Sequence, residues 1–283
     1  MSFPRPLYQS RHYRKHLPTW PKRATTHDWP HPWARHPVLG WLDFRLRWEN
    51  LNGWIGLSFA IGALAFFSAG TLCLLNARQL LPEPDRIGSL CNAMFFAGSI
   101  PFTLAASLQL FQAANMDRER DHHEGTTTRS IKLLGWHPKQ LGWLSTATQF
   151  PGALLFNLNT FNALDPSRDW QDYDWQVWLP GFVGSILFLV SGVLAVFEYR
   201  QTGASWNPNS LAWWIVTANL VGCIAFLLSA VLSIGLPTPI AAAETLSFLM
   251  TTIGAAGFLI GSLLMIREGK LGETDATNDL PNR

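Results

Sequence analysis

Residues 245–266 read TLSFLMTTIGAAGFLIGSLLMI, with no charged side chain between Glu244 and Arg267. A helix needs about 20 predominantly apolar residues to cross the hydrocarbon core of a bilayer. This stretch therefore predicts a transmembrane helix. Charge-free runs long enough to cross a bilayer occur five more times, at Asn50–Ala77, Ile87–Met116, Gln140–Leu164, Trp175–Phe197 and Gln201–Ala243.

The six runs predict an all-α integral membrane bundle made of three tandem transmembrane helical hairpins. The spans are predicted near 51–76, 89–113, 141–164, 177–199, 211–234 and 245–267. They define a membrane domain over residues 50–268. Residues 1–49 are predicted to be a basic cytoplasmic segment, disordered or at the membrane interface, and residues 269–283 a disordered cytoplasmic tail.

The distribution of basic residues predicts the orientation of the bundle. Of the 21 Lys and Arg residues, all but Arg78, Arg86 and Arg168 fall in segments on one side of the predicted membrane. Cytoplasmic loops carry the excess of Lys and Arg. Both termini are therefore predicted to be cytoplasmic in a bacterial inner membrane, where the basic N-terminal segment would meet anionic headgroups.

A stripe of small residues and phenylalanine recurs in each span. Spacings of three and four residues place the members of a set on one helix face, where small residues let a neighbouring helix approach and Phe fills the space beside it. The stripe predicts an internal repeat of a two-helix unit. The six sets are Gly56-Phe59-Gly62, Cys91-Phe95-Gly98, Gly152-Phe156-Asn159, Gly184-Phe188-Ser191, Gly222-Phe226-Ser229 and Gly254-Phe258-Gly261.

Amide side chains accompany the stripe in alternate spans. Asn52, Gln149 and Asn219 lie seven residues before the Phe of their set, and Asn159 replaces the last small residue in the third span. Amides inside a membrane either hydrogen-bond to neighbouring helices or line a polar path. These four are candidates for both roles. The three hairpins could surround a pseudo-threefold axis or stack in a row.

Candidate reactive groups are few. The interiors of the spans lack acidic, basic and histidine side chains, which disfavours proton-coupled pumps and embedded haem. Weak candidates for a metal site are Asp121, His122, His123 and Glu124 in one loop, whose spacing matches no closed tetrahedral pattern, and the N-terminal pairs His12/His16 and His27/His31. We therefore expect no metal, no cofactor and no nucleic-acid partner.

The three cysteines fall within predicted spans, where a thiol is usually a small packing residue. Cys73 and Cys91 lie near the ends of adjacent spans that are predicted to face outward, so these two could pair. No other feature suggests a disulfide framework. Cys223, in the fifth span, is expected to contribute to packing alone.

Several motifs resemble the YrhK-like class of bacterial membrane proteins, over roughly residues 45 to 268. The resemblance implies a multi-pass membrane protein built from copies of a two-helix unit, and it implies no catalytic or binding residues. The motifs are Pro101-Phe102-Thr103 with Ala105-Ala106 and Gln109, Gln149-Phe150 with Gly152 and Phe156-Asn157, Trp178 with Pro180, Gly184-Ser185 and Phe188, and the Phe-x2-Gly-Ser stripes.

Three functions are compatible with these patterns. The first is a non-catalytic structural or accessory component of the membrane, with an unknown membrane protein as partner. The second is a channel or carrier for a small neutral solute, with Gln149, Asn159 and Asn219 as its polar lining. The third is a metal-dependent enzyme or sensor that uses the loop of His122 and His123 at the membrane surface.

Overall fold

The computed structural model describes residues 51–116, 131–133, 135–165, 167, 169–201, 208, 210–235 and 240–278, with side chains described up to residue 268 and not at residue 170. The basic segment predicted over residues 1–49 lies outside this part of the chain. The loop that carries Asp121, His122, His123 and Glu124 also lies outside it.

The described residues are helical and contain no strand. Three helices occupy the first half of the described chain and three long helices the second half, as the charge-free runs predicted. The elements are α1 (Leu51–Ala77), α2 (Pro84–Ala114), α3 (Leu141–Asn162), the single turn α4 (Trp170–Tyr173), a π-helical turn (Asp174–Trp178), α5 (Leu179–Gln201), α6 (Leu211–Leu232) and α7 (Ala241–Asn278).

Five of the six predicted spans are confirmed as helices long and apolar enough to cross a membrane. Their most apolar windows have mean hydropathies between 1.5 and 2.3. They are Leu51–Ala77, Pro84–Ala114, Gln171–Gln201, Leu211–Leu232 and Ala241–Glu268. The chain is therefore a multi-pass helical protein with the composition of a membrane protein.

The third predicted span, α3, is a helix that does not belong to this apolar group among the described residues. Amides at Gln149, Asn157, Asn159 and Asn162 lower its hydropathy. The helix nevertheless packs along both α2 and α5. Because its amides Asn157 and Asn159 hydrogen-bond to neighbouring elements, α3 lies within the bundle without being as apolar as its neighbours.

The six long helices pack in a closed cycle. Each one makes extensive contacts with the long helices that precede and follow it in the chain, and α7 packs along α1. The contact between α1 and α7 is among the most extensive in the molecule. A chain of hairpins in a row would leave its first and last helices apart, so the contacts describe a ring with an interior.

Pairs of glycines bring the two helices of each hairpin together. A Cβ atom on Gly62 would lie 2.7 Å from the carbonyl oxygen of Gly98, and one on Gly184 would lie 3.1 Å from the carbonyl oxygen of Gly152. The third pair has the same arrangement, since a Cβ on Gly222 would lie 3.0 Å from the Gly254 oxygen. Only glycine permits such a close approach of backbones.

The glycine pairs correct the alignment of the first hairpin. Gly62 faces Phe102 and Gly98 faces Phe66, whereas the sequence sets placed Phe59 and Phe95 in those positions. The common pattern in all six helices is therefore Gly-x3-Phe, and the two sets in α1 and α2 were aligned seven residues too early. The difference was concealed because Phe59 and Phe66, like Phe95 and Phe102, are seven residues apart and therefore lie on one helix face.

Candidate functional site

A layer of phenylalanine rings fills the middle of the ring interior. Each long helix contributes one ring, four residues after its paired glycine. The phenylalanine layer consists of Phe66, Phe102, Phe156, Phe188, Phe226 and Phe258. A cavity of only about 20 Å³ remains among these rings, beside Ser99 and Ala153. A single water needs about 10–15 Å³, so the layer is nearly solid.

The rings of this layer form one connected cluster. Phe102, Phe188 and Phe258 contact one another, with centroids 5.4 to 5.9 Å apart. The Phe226 ring lies 5.9 Å from both Phe66 and Phe156, and Phe156 lies 5.2 Å from Phe188. Most of these pairs are edge-on or tilted, a geometry that contributes about 0.5–1.5 kcal/mol per pair beyond burial.

A polar cavity of about 110 Å³ lies on one side of the phenylalanine layer. We call it the amide chamber because five carboxamides, from four helices, line it. They are Asn52, Gln109, Gln112, Gln149 and Asn219. Phe188 and Phe258 of the layer form its apolar side together with Phe59, whose ring centroid lies 4.8 Å from that of Phe102.

Some polar groups of the amide chamber are bonded to neighbouring helices. Asn52 donates its side-chain N–H to the Met265 carbonyl at 3.3 Å, and the Ser191 hydroxyl donates to the Gln149 side-chain oxygen at 3.4 Å. The Ser145 hydroxyl donates to the Ser191 carbonyl at 3.0 Å. Asn52 and Gln149 thus contribute to helix packing as well as to the lining.

Two glutamines of α2 each have a side-chain atom that makes no hydrogen bond to the described residues. Gln109 Oε1 and Gln112 Nε2 are buried atoms with no hydrogen-bond partner among the described residues. The Gln112 side chain is only 4% exposed. An unpaired buried donor or acceptor costs about 1–3 kcal/mol, so these two atoms are suited to a molecule that enters the chamber.

Two carboxylates also line the amide chamber, and the sequence analysis did not identify them. Glu198 is 5% exposed near the end of α5, and Glu268 lies at a comparable level of α7. Both make further interactions within the chain. Glu198 was missed because it sits at the end of its span, yet it continues the face of Ser191 and Ala195 at offsets of four and three, a signal that could have found it.

A second cavity, of about 200 Å³, lies on the other side of the phenylalanine layer. We call it the hydroxyl chamber after its serine and threonine lining, which includes Ser185, Ser229, Ser233, Ser247 and Thr251. The Ser229 hydroxyl lies 3.0 Å from that of Ser247 and 2.7 Å from that of Thr251. No charged side chain lines this chamber among the described residues.

The predicted polar lining is divided between the two chambers. Gln149 and Asn219 line the amide chamber, whereas Asn159 lines the hydroxyl chamber. Asn159 donates its side-chain N–H to the Val177 carbonyl at 2.7 Å. Phe95 also lines the hydroxyl chamber, with its ring 5.2 Å from Phe66. The sequence could not show this division because it depends on the depth of each residue in the ring.

The metal-ligating side chains of the described residues do not cluster into a site, and the three cysteines are free. No group of three His, Cys, Asp or Glu side chains that could hold a metal exists in the described part of the chain. Cys73 and Cys91 are both free, buried thiols that lie close enough to interact. Cys223 is free, buried and part of the wall of the amide chamber.

No family model, no curated protein and no solved structure matches this chain. The functional interpretation therefore depends on the chambers, the layer between them and the residues that line them.

Proposed function

We propose that the chain provides a path across a membrane for small uncharged solutes, along the interior of its helix ring. The observation that supports it is the presence of two polar chambers at opposite ends of the bundle. The amide chamber is lined by the start of α3 and the end of α5, and the hydroxyl chamber by the end of α3 and the start of α5. Antiparallel neighbours place those two sets at opposite ends.

The phenylalanine layer indicates which solutes could pass. A charged solute would lose its hydration among apolar rings that offer little compensation. A small uncharged molecule loses far less. The 20 Å³ cavity within the layer admits no such solute, so this conformation is closed and passage requires the Phe side chains to change rotamer.

The proposal includes the predicted orientation and location. With both termini in the cytoplasm of a bacterial inner membrane, the amide chamber faces the cytoplasm and the hydroxyl chamber faces outward. The three hairpins then surround a pseudo-threefold axis that coincides with the path. Membership in the YrhK-like class stays a prediction from the sequence.

A structural or accessory role is the second candidate, and hydrogen bonds between helices favour it. Asn157 donates to the Thr103 hydroxyl at 2.8 Å, and Asn92 donates to the Ala163 carbonyl at 2.7 Å. Together with the bonds of Asn52 and Asn159, these contacts join helices across the bundle. In this role the chambers would be packing defects in a closed scaffold.

Solute flux into liposomes distinguishes the two candidates. The full chain is reconstituted and exposed to glycerol or urea gradients, and shrinkage and recovery are followed by light scattering. A solute path predicts faster recovery than in protein-free liposomes, and a further increase for Phe226→Ala and the milder Phe226→Leu, which loosen the layer. Phe197→Ala is the matched control, because Phe197 is 51% exposed on α5.

The proposal is overturned if neither the wild type nor the two Phe226 variants exceed protein-free liposomes. Each protein must elute as a single species with unchanged helical circular dichroism before it is reconstituted. That result would favour the structural role.

A further inference from the structure

We infer that the amide chamber is a binding site for molecules of the urea and primary-amide class. This inference rests on the proposed solute path and specifies its substrate. The ligand is a small uncharged planar molecule that carries a carbonyl oxygen and N–H donors close together.

The first reason is the pair of unpartnered atoms on α2. Gln109 and Gln112 are three residues apart, so they share a helix face, and both line the amide chamber. Among the described residues, Gln109 Oε1 lacks a donor and Gln112 Nε2 lacks an acceptor. Both atoms are covered in this closed conformation, so the glutamine side chains must change rotamer to expose them. A urea or amide group then supplies both partners, because its N–H donates to Gln109 while its carbonyl accepts from Gln112.

The second reason is that further acceptors line the rest of the chamber. Gln149 on α3, Glu198 on α5 and Asn219 on α6 line it together with the two glutamines. A carboxylate has room for about four hydrogen bonds, so Glu198 can accept another donor beside its interactions within the chain. Several acceptors suit a ligand with several N–H groups better than one with a single hydroxyl.

The third reason is size and shape. The volume of about 110 Å³ has room for a solute of several heavy atoms. The rings of Phe59, Phe188 and Phe258 form the apolar side of the chamber, against which a planar molecule can lie. The ligand must also be uncharged in order to continue through the phenylalanine layer.

The inference is tested by comparing urea with glycerol in the reconstituted full chain. Wild-type protein is expected to conduct urea and acetamide faster than glycerol, and excess acetamide to slow urea. Gln112→Leu and Gln109→Leu are expected to reduce urea permeability about fivefold each, as expected for one lost hydrogen bond. Glycerol permeability should fall by a smaller factor than urea permeability.

Two further variants guard against a folding defect. Gln112→Glu keeps the shape of the side chain and replaces the Nε2 donor with an acceptor, so it should reduce urea permeability as Gln112→Leu does. Gln201→Leu is the matched control, because Gln201 is exposed at the end of α5. It should leave both permeabilities unchanged.

The outcomes separate this inference from the proposed function. If neither solute crosses, the solute path itself is wrong. If glycerol crosses but urea has no advantage, or if the Gln109 and Gln112 variants change both solutes equally, the path stands and its assignment to the urea and amide class is overturned.

Discussion

At the scale of single residues, the absence of a side chain at six positions sets how closely the helices approach. Gly62 and Gly98 illustrate this, because a Cβ on the first would meet the backbone of the second at 2.7 Å. A backbone atom cannot move aside as a flexible side chain can. The phenylalanine that follows each glycine then fills the space that the close approach creates.

We predict that Gly62→Ala destabilises the folded chain by about 1–3 kcal/mol, the usual cost of overpacking. The added methyl group must push α1 away from α2. The measurement is the free energy of unfolding in mixed detergent micelles. Gly88→Ala is the matched control, since nothing lies within 4 Å of a Cβ at Gly88. There the substitution should be neutral or stabilising by up to about 1 kcal/mol.

At the scale of elements, α3 shows that hydropathy alone does not decide whether a helix belongs to the bundle. Its amides lower its hydropathy below that of the helices apolar enough to cross a membrane. The same amides hydrogen-bond to other parts of the molecule. Asn162 donates to the Gln176 carbonyl at 2.7 Å, which ties the end of α3 to the π-helical turn. The polar side chains of this helix therefore contribute to its packing.

Asn159→Ala is expected to lower the free energy of unfolding by about 0.5–2 kcal/mol, the range for hydrogen bonds between membrane helices. The substitution removes the bond to Val177 although it makes α3 more apolar. Leu158→Ala, at an exposed neighbouring position, serves as control. An increase in stability for Asn159→Ala would mean that lipid exposure, not packing, governs α3.

The thiols of Cys73 and Cys91 provide a test of how α1 meets α2. Because these two thiols lie close to each other, mild oxidation with copper-phenanthroline should join the two helices by a disulfide. A protease site placed between α1 and α2 makes the bond visible on a non-reducing gel. Cys73→Ser must abolish it. Failure to form it would show that the first hairpin has a different register.

At the scale of the whole molecule, closure of the ring creates the interior in which both chambers lie. The contact between α1 and α7 closes it, and Gly70 meets Thr252 there, with a Cβ on Gly70 only 2.7 Å from the Thr252 hydroxyl. Without that contact the amide and hydroxyl chambers would open sideways to lipid. The proposed solute path therefore depends on this one interface.

A cysteine pair at Gly70 and Thr252 should cross-link α1 to α7 in a background without the native cysteines. The reason is the short distance between these positions at the closing interface. The chain is then cleaved in the loop between α3 and α5. On a non-reducing gel, the cross-linked product still migrates at full length. A pair at Gly88 and Thr252 is the control. No cross-link in the first pair would favour hairpins stacked in a row.

The sequence by itself determined that the chain is helical, multi-pass and striped with glycine and phenylalanine. Charge-free length and a period of three to four residues are local properties, so they can be read without knowing which helices meet. The alignment of the first hairpin was not determined, because Phe59, Phe66, Phe95 and Phe102 all fit the same local period.

Only the tertiary structure decided that the helices form a ring and that the amides lie in two chambers. Ring closure joins residues nearly two hundred positions apart, such as Gly70 and Thr252, and no local pattern encodes that contact. For Glu198 the helical period places it on the face of Ser191 and Ala195, but the period does not show what that face encloses. It becomes part of a candidate binding site because five other helices enclose the space that it faces.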